Sequence, residues 1–289
     1  MAPLVAQKGR AWAGFVIRAE LMRLSDVLPV LESIAPLRLA EGWDNVGLLV
    51  GDPAAEIRAA LLCIDYTPGV AAEAREKGVD LVYSYHPPIF EAMKRVVSPG
   101  PIFEAIRDGI AIYSPHTALD VAEGGTNDFL ADILGLGRGL PARRPMRAPG
   151  AKFGPAPEGE SLGLGRIGAL EAEAPREELL ERIKRGLGIE ALLVAGPTTG
   201  MVRTVAASAG AAGAMVEDAL GQGAELYLTG EMRHHDALRA AKLGMTVVCA
   251  LHSNSERAVL PRIRERIAGA LPGLSVFVSG ADRDPFVVR

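Results

Sequence analysis

The chain has 289 residues, 49% hydrophobic and 23% charged, with a net charge of −4 at neutral pH. That balance excludes extended disorder, which needs low hydrophobicity and high net charge, and it leaves no basic footprint of the kind that nucleic-acid binding requires. No stretch reaches the roughly 20 consecutive apolar residues that span a bilayer, so no membrane association is expected.

Residues 1–21 are basic and mildly apolar, but Arg18 and Glu20 interrupt any signal-peptide core. They read as a flexible extension, with Met22 opening the folded part. The first lobe is expected over 22–136. It carries a helix near 25–35, a polar turn in "EGWDN" leading into an apolar strand, and strands at 58–65, 80–85 and 110–114. Helices fall between and after them near 68–77, 101–108 and 126–134. Residues 137–160, rich in Pro, Gly and charge, read as a linker or long surface loop. The second lobe, 161–289, is expected to hold helices near 175–187, 214–221, 235–243 and 255–270. Its strands are expected at 202–208, 224–229, 245–251 and 274–279. Short apolar runs alternating with helical segments and glycine punctuation indicate an α/β protein. The two cysteines, Cys63 in "LLCID" and Cys249 in "TVVCAL", read as buried strand residues of a reducing compartment, which points to the cytoplasm.

The two lobes resemble each other. "IRAALLCID" is matched by "VRTVAASAG", "EKGVDLVYSYH" by "GQGAELYLTGE", and "GIAIYSPHTALD" by "GMTVVCALHSNSE", in the same order. Three matched segments suggest an internal duplication of one α/β unit. In each copy the third strand ends in histidine and a carboxylate follows four residues later: His116 with Asp120, and His252 with Glu256. His86 ends a further strand in "SYHPPIF". Ligands of open α/β sheets gather beyond the carboxyl ends of the strands, so His86, His116, Asp120, His252 and Glu256 are expected to face one crevice between the lobes. Imidazole and carboxylate together suit Zn, Mn, Fe, Co or Ni. The competing reading gives each histidine an ordinary structural hydrogen bond at a strand end.

His234 and His235 follow Glu231 in "LTGEMRHHDAL" and read either as a helix start with solvated imidazoles or as an acid–base group. "SAGAAGAM" could offer backbone N–H groups to a phosphate, but it lacks the lysine of a P-loop. Trp43, Asp44 and Asn45 read as a structural Asx turn or as a pocket wall.

With "EGWDNVGLLVGDP", "SYHPPIF", "SPHTALDVAEGGTNDFLA", "LYLTGEMRHHDAL" and "HSNSERAVL", the chain from about Met22 onward resembles the Ngg-interacting-factor-three (Nif3-like) family. That family is also described as type 2 GTP cyclohydrolase I-like. The resemblance implies two α/β lobes, a toroidal homohexamer and a two-metal site between the lobes. It implies His86, Asp120, His252 and Glu256 as ligands of two divalent ions per chain, with His116 close by. The chain departs from the family at Tyr85, where many members carry a second histidine, and it has no room in 137–160 for the domain that many relatives insert. The function expected is metal-dependent hydrolysis of a small, nucleotide-like or phosphorylated substrate, with His116, Glu231 or His235 moving protons. The alternative is a non-catalytic metal-binding module that regulates or binds protein partners.

Overall fold

The computed structural model describes residues 22–139, 141–148, 162–287 and 289. The expected extension, 1–21, and much of the expected linker lie outside the described residues. The first part runs β1 (Met22–Arg23), α1 (Leu24–Ile34), β2 (Gly47–Val50), β3 (Glu56–Ile57), β4 (Ala59–Cys63), α2 (Pro68–Lys77), β5 (Leu81–Ser84), α3 (Pro101–Asp108), β6 (Ala111–Ser114), α4 (Thr117–Val121) and α5 (Thr126–Leu134). The second runs β7 (Arg166–Pro175), α6 (Arg176–Leu187), β8 (Leu193–Ala195), β9 (Met201–Ser208), α7 (Val216–Gly221), β10 (Leu226–Thr229), α8 (His234–Lys242), β11 (Thr246–Cys249), α9 (His252–Arg257), α10 (Leu260–Ala270) and β12 (Ser275–Val278).

Two five-stranded sheets result. One has the order β12-β4-β5-β6-β2, the other β7-β9-β10-β11-β8. In each, three strands run parallel in chain order, β4-β5-β6 and β9-β10-β11, and an antiparallel strand, β2 or β8, closes the edge beside the third. The central strands are short apolar runs because both of their faces are covered. Every residue of β5, β6 and β10 is buried. The intervening helices carry ordinary start and stop signals. Thr67 Oγ1 accepts from Val70 N at the head of α2, Pro68 opens that helix, and Gly78 ends it in the left-handed region.

Three features differ from the sequence reading. The last strand does not stay with the second lobe: β12 pairs in parallel with β4, and Leu260, Ile263 and Ile267 of α10 join Leu24, Val27 and Leu31 in the first core. A lobe boundary at 160/161 therefore misassigns the C-terminus. The apolar run at 274–279 carries no mark of which sheet it completes, and β4 would otherwise present an open edge. Second, β7 and β8 are additional strands. β7 alternates buried and exposed positions, with Glu171 and Glu173 exposed on an edge strand. Third, the described part of the expected linker is docked. Arg144 and Arg147 bridge to Ile167 and Leu164, and Arg143 is buried with its guanidinium on Asp132 and the Leu136 carbonyl. Of the cysteines, Cys63 is buried as expected, while Cys249 at the end of β11 is partly exposed. No helix among the described residues is long and apolar enough to cross a membrane.

Candidate metal centre

The parallel strands of both sheets aim their carboxyl ends at one place, the usual ligand position in open α/β sheets. Asp65 follows β4, and Tyr85 and His86 follow β5. His116 and Asp120 follow β6. Gly210 follows β9, Glu231 follows β10, and His252 and Glu256 follow β11. Ser84 Oγ donates to the His86 carbonyl (2.7 Å) and Ser114 Oγ to the Tyr85 carbonyl (2.9 Å), which fixes the backbone that presents these rings.

The expected single helix at 255–270 is two helices, and the break matters. Leu251 turns with φ 70°, so α9 starts at His252 itself and puts His252 and Glu256 on one helical face. His116, with φ 34°, begins α4 in the same way and carries Asp120 behind it. These are the two non-glycine residues with positive φ among the described residues. Such backbone strain tends to concentrate where side-chain placement is functional.

Glu256 stands at the centre. Its Oε2 lies 3.3 Å from His86 Nε2 and its Oε1 lies 3.3 Å from His252 Nε2. The ligand atoms of His86, His252 and Glu256 all fall within 4.8 Å of one another, a group able to hold a metal ion. The opposite nitrogen of each imidazole is occupied. His86 Nδ1 donates to Asp65 Oδ1 (2.9 Å), and His252 Nδ1 donates to Glu231 Oε1 (2.7 Å). An ionised carboxylate can only accept. Carboxylates that hold Nδ1 in this way orient Nε2 toward a metal. Glu256 is buried, and its Oε2 has no aligned hydrogen-bond donor. A buried carboxylate with one imidazole at each oxygen is a suitable donor set for a first-row transition ion. Gly210 keeps the space open: with φ +65°, a Cβ there would come within 2.7 Å of Glu256 Oε1 and 3.4 Å of His252 Nε2. The "SAGAAGAM" loop thus lies against the carboxylate.

Charge follows this geometry. Burial works against a charged His86, but Asp65 and Glu256 outweigh it and push its pKa up to about 10. Glu256 raises His252 to about 9 against its own burial, with help from Glu231. Burial would raise Glu256, yet His252 and His86 hold it below the usual carboxylate range. Asp120 is driven the other way, to about 6, by burial and the neighbouring Glu256 charge.

The structure gathers His86, His116, Asp120, His252 and Glu256, the five residues grouped from spacing. Their positions differ in kind. The His116 ring packs against His86 with centroids 5.4 Å apart, and its Nδ1 donates to Asp44 Oδ1 (2.7 Å). The Tyr85 hydroxyl donates to Asp120 Oδ1. Glu231 is a partner of His252. His235 is not brought in: it is exposed on the first turn of α8 and its ring packs against His234. Asp65 carries no mark of its role in the sequence, and Asp44, read as part of an Asx turn or a pocket wall, holds His116. The available signal was their position, Asp65 closing the apolar run "LLCID" and Asp44 closing "EGWD". Trp43 (61% exposed) and Phe90 (52% exposed) flank His116, with centroids 5.9 and 6.4 Å from its ring. Asn45 ties the two loops by donating to the Ile89 carbonyl (2.6 Å).

Comparison with known proteins gives a consistent outcome. A sequence model of the family described as Duf34/NIF3 (NGG1p interacting factor 3) matches residues 22–285. The chain is 32% identical over 270 residues to a GTP cyclohydrolase 1 type 2 homolog of Clostridium perfringens, covering 92% of this chain and 99% of that one. It is 35% identical over 274 residues to NIF3-like protein 1 of Drosophila melanogaster, covering 92% and 89%. The fold matches the crystal structure of a Bacillus cereus protein related to NIF3, with a TM-score of 0.83 at 22% identity, covering 93% of this chain and all of that one.

Proposed function

The chain belongs to the Duf34/NIF3 (NGG1p interacting factor 3) family, and from that membership and the geometry of the centre we propose that it is a metal-dependent hydrolase of a small nucleotide-like or phosphorylated substrate. The observation that carries the reading is the convergence of His86 Nε2 and His252 Nε2 on buried Glu256, with both Nδ1 atoms held by carboxylates. Two imidazoles and one carboxylate are a donor set of catalytic metal sites, which keep a further position open. A divalent ion of the Zn, Mn, Fe, Co or Ni class held there would supply Lewis acidity to substrate and water.

The chain's own residues supply the rest. Asp65 and Glu231 orient the two imidazoles. His116, fixed by Asp44, is the group placed to move a proton beside them. Trp43 and Phe90 offer exposed faces on which a planar base can stack. A guanine nucleotide suits such faces, and the Clostridium perfringens relative carries GTP cyclohydrolase in its name. The test is turnover of GTP and simple phosphoesters by the metal-loaded chain, followed by chromatography, beside a Glu256→Gln control. Turnover that Glu256→Gln abolishes supports the reading, and turnover equal in both contradicts it.

A second reading is a metal-binding module that works through protein partners. It is favoured by exposed Leu193 on edge strand β8, exposed Leu238 of α8 and exposed Leu243 just past that helix, apolar surface of the kind that marks interaction sites. The same face would serve the expected homohexamer, and solution scattering distinguishes the two. We also place the protein in the cytoplasm, on its two unpaired cysteines. The matching strand orders β4-β5-β6 and β9-β10-β11, each delivering a histidine and carboxylate, support an origin by duplication, with the metal site in the crevice between the two units.

A further inference from the structure

The family resemblance makes Asp120 a ligand where two ions are bound, and here Asp120 is engaged by a tyrosine hydroxyl instead. Asp120 sits on α4, facing Tyr85. The Tyr85 side chain is fully buried, and its hydroxyl donates to Asp120 Oδ1 and lies 3.1 Å from Thr126 Oγ1. The ring is held edge-on to His86, with centroids 5.3 Å apart, and to His116, 6.2 Å apart. Its backbone is pinned as well, since Tyr85 N donates to the Cys63 carbonyl (2.9 Å) and the Tyr85 carbonyl accepts from Ser114 Oγ (2.9 Å). The phenol cannot swing away without emptying a packed site. The Asp120 carbonyl is fixed too, by Asn127 Nδ2 (2.9 Å), whose Oδ1 accepts from Ala209 N of the second sheet (2.9 Å).

A carboxylate offers roughly four lone-pair sites on its two oxygens, and the Tyr85 hydroxyl takes one on Oδ1 in competition with a cation. Among the described residues, the ligand atoms that lie within 4.8 Å of one another belong to His86, His252 and Glu256, and Asp120 does not join them. Asp120 is a partly exposed carboxylate that accepts the Tyr85 hydroxyl at Oδ1.

We propose that Tyr85 withholds Asp120 from metal coordination, so that each chain carries one ion, at His86, His252 and Glu256. Tyr85 is on this account a positioning residue that sets ion number. The inference rests on the reading that the centre binds metal, and the experiment separates the two. Purified chains are loaded with excess Zn or Mn, desalted, and assayed for metal per chain by elemental analysis, with binding stoichiometry followed by titration calorimetry. The expected count is one for the wild type and none for Glu256→Gln. Tyr85→His, which replaces the donor with a ligand, rises toward two. Tyr85→Phe keeps the ring, removes only the hydroxyl and so remains informative if the histidine variant fails to fold; it frees Asp120 and admits a second, weaker equivalent. Two ions in the wild type overturn the inference and leave metal binding intact. A count that stays at one in both Tyr85 variants also overturns it. No ion in the wild type overturns the metal reading itself.

Discussion

The rings of His86 and His252, delivered by different sheets, stand 5.2 Å apart at an angle of 69°, with the Glu256 carboxylate between their Nε2 atoms. Neither lobe alone contains this arrangement. The fold produces it by turning the carboxyl ends of two parallel strand sets toward each other, and the account of function depends on it.

The partners behind the imidazoles are the first thing to perturb. Asp65→Asn and Glu231→Gln leave the three proposed ligands in place but remove the negative charge from the acceptors that orient two of them. Each is expected to weaken metal binding by roughly 10–100-fold. Competition with a chromophoric chelator measures this directly. Unchanged affinity in both variants would show that the carboxylates are only solvated neighbours.

Two glycines with similar backbones separate a general effect from a local one. Gly78 (φ +62°) has open space where a Cβ would go, whereas at Gly210 (φ +65°) a Cβ meets Glu256 Oε1 at 2.7 Å. Gly78→Ala is expected to cost about 1–2 kcal/mol of stability through its left-handed backbone alone and to leave metal affinity unchanged. Gly210→Ala carries that cost, displaces the carboxylate and loses the metal. Denaturant melts with and without metal compare them: metal stabilises Gly78→Ala as it does the wild type and fails to stabilise Gly210→Ala.

The pH response of the ion-free chain has a defined sign. His86 and His252 have folded pKa values raised to about 10 and about 9, above the unfolded value of about 6.5. Their contribution to stability is therefore fully present below about pH 6.5 and is lost as pH rises through 9 to 10. Chelator-treated protein is expected to lose melting temperature across that alkaline window, and Glu256→Gln to flatten the loss. Metal binding runs the other way. Ligands must shed protons to bind, so apparent affinity rises with pH up to about 10, where His86 has lost its proton. Calorimetry in buffers of different ionisation enthalpy detects the released protons.

Much of this centre is visible in the sequence, and the limits are physical. His252 and Glu256 are separated by one helical turn, so their meeting is a local consequence of α9. The same holds for His116 and Asp120 on α4. That His86 joins His252 was foreseeable only from the rule that strand carboxyl ends gather ligands. The role of Asp65 was not foreseeable, because a carboxylate closing an apolar strand looks the same whether it caps a turn or holds an imidazole. β12 escaped for a related reason: a short apolar run states that it is a strand but not which edge it completes. His235 shows the converse: a histidine just beyond a strand end reads as a site residue, and it stands exposed on the first turn of α8 with its ring against His234.

Substrate selection is expected to reside in the exposed aromatic pair. Trp43→Ala and Phe90→Ala remove stacking faces beside His116 without touching the metal-capable group. For a base-bearing substrate, each should raise KM roughly fivefold or more, the scale of about 1–3 kcal/mol per stacked base, with kcat and metal content preserved. A phosphoester without a ring should be indifferent to both changes.

The most direct test of the central claim is anomalous diffraction from crystals of the chain soaked in Zn or Mn, collected on either side of the metal's absorption edge. The account predicts a peak within coordination distance of His86 Nε2, His252 Nε2 and a Glu256 oxygen. Difference density empty at those three atoms, under conditions where metal binds elsewhere on the chain, would contradict it.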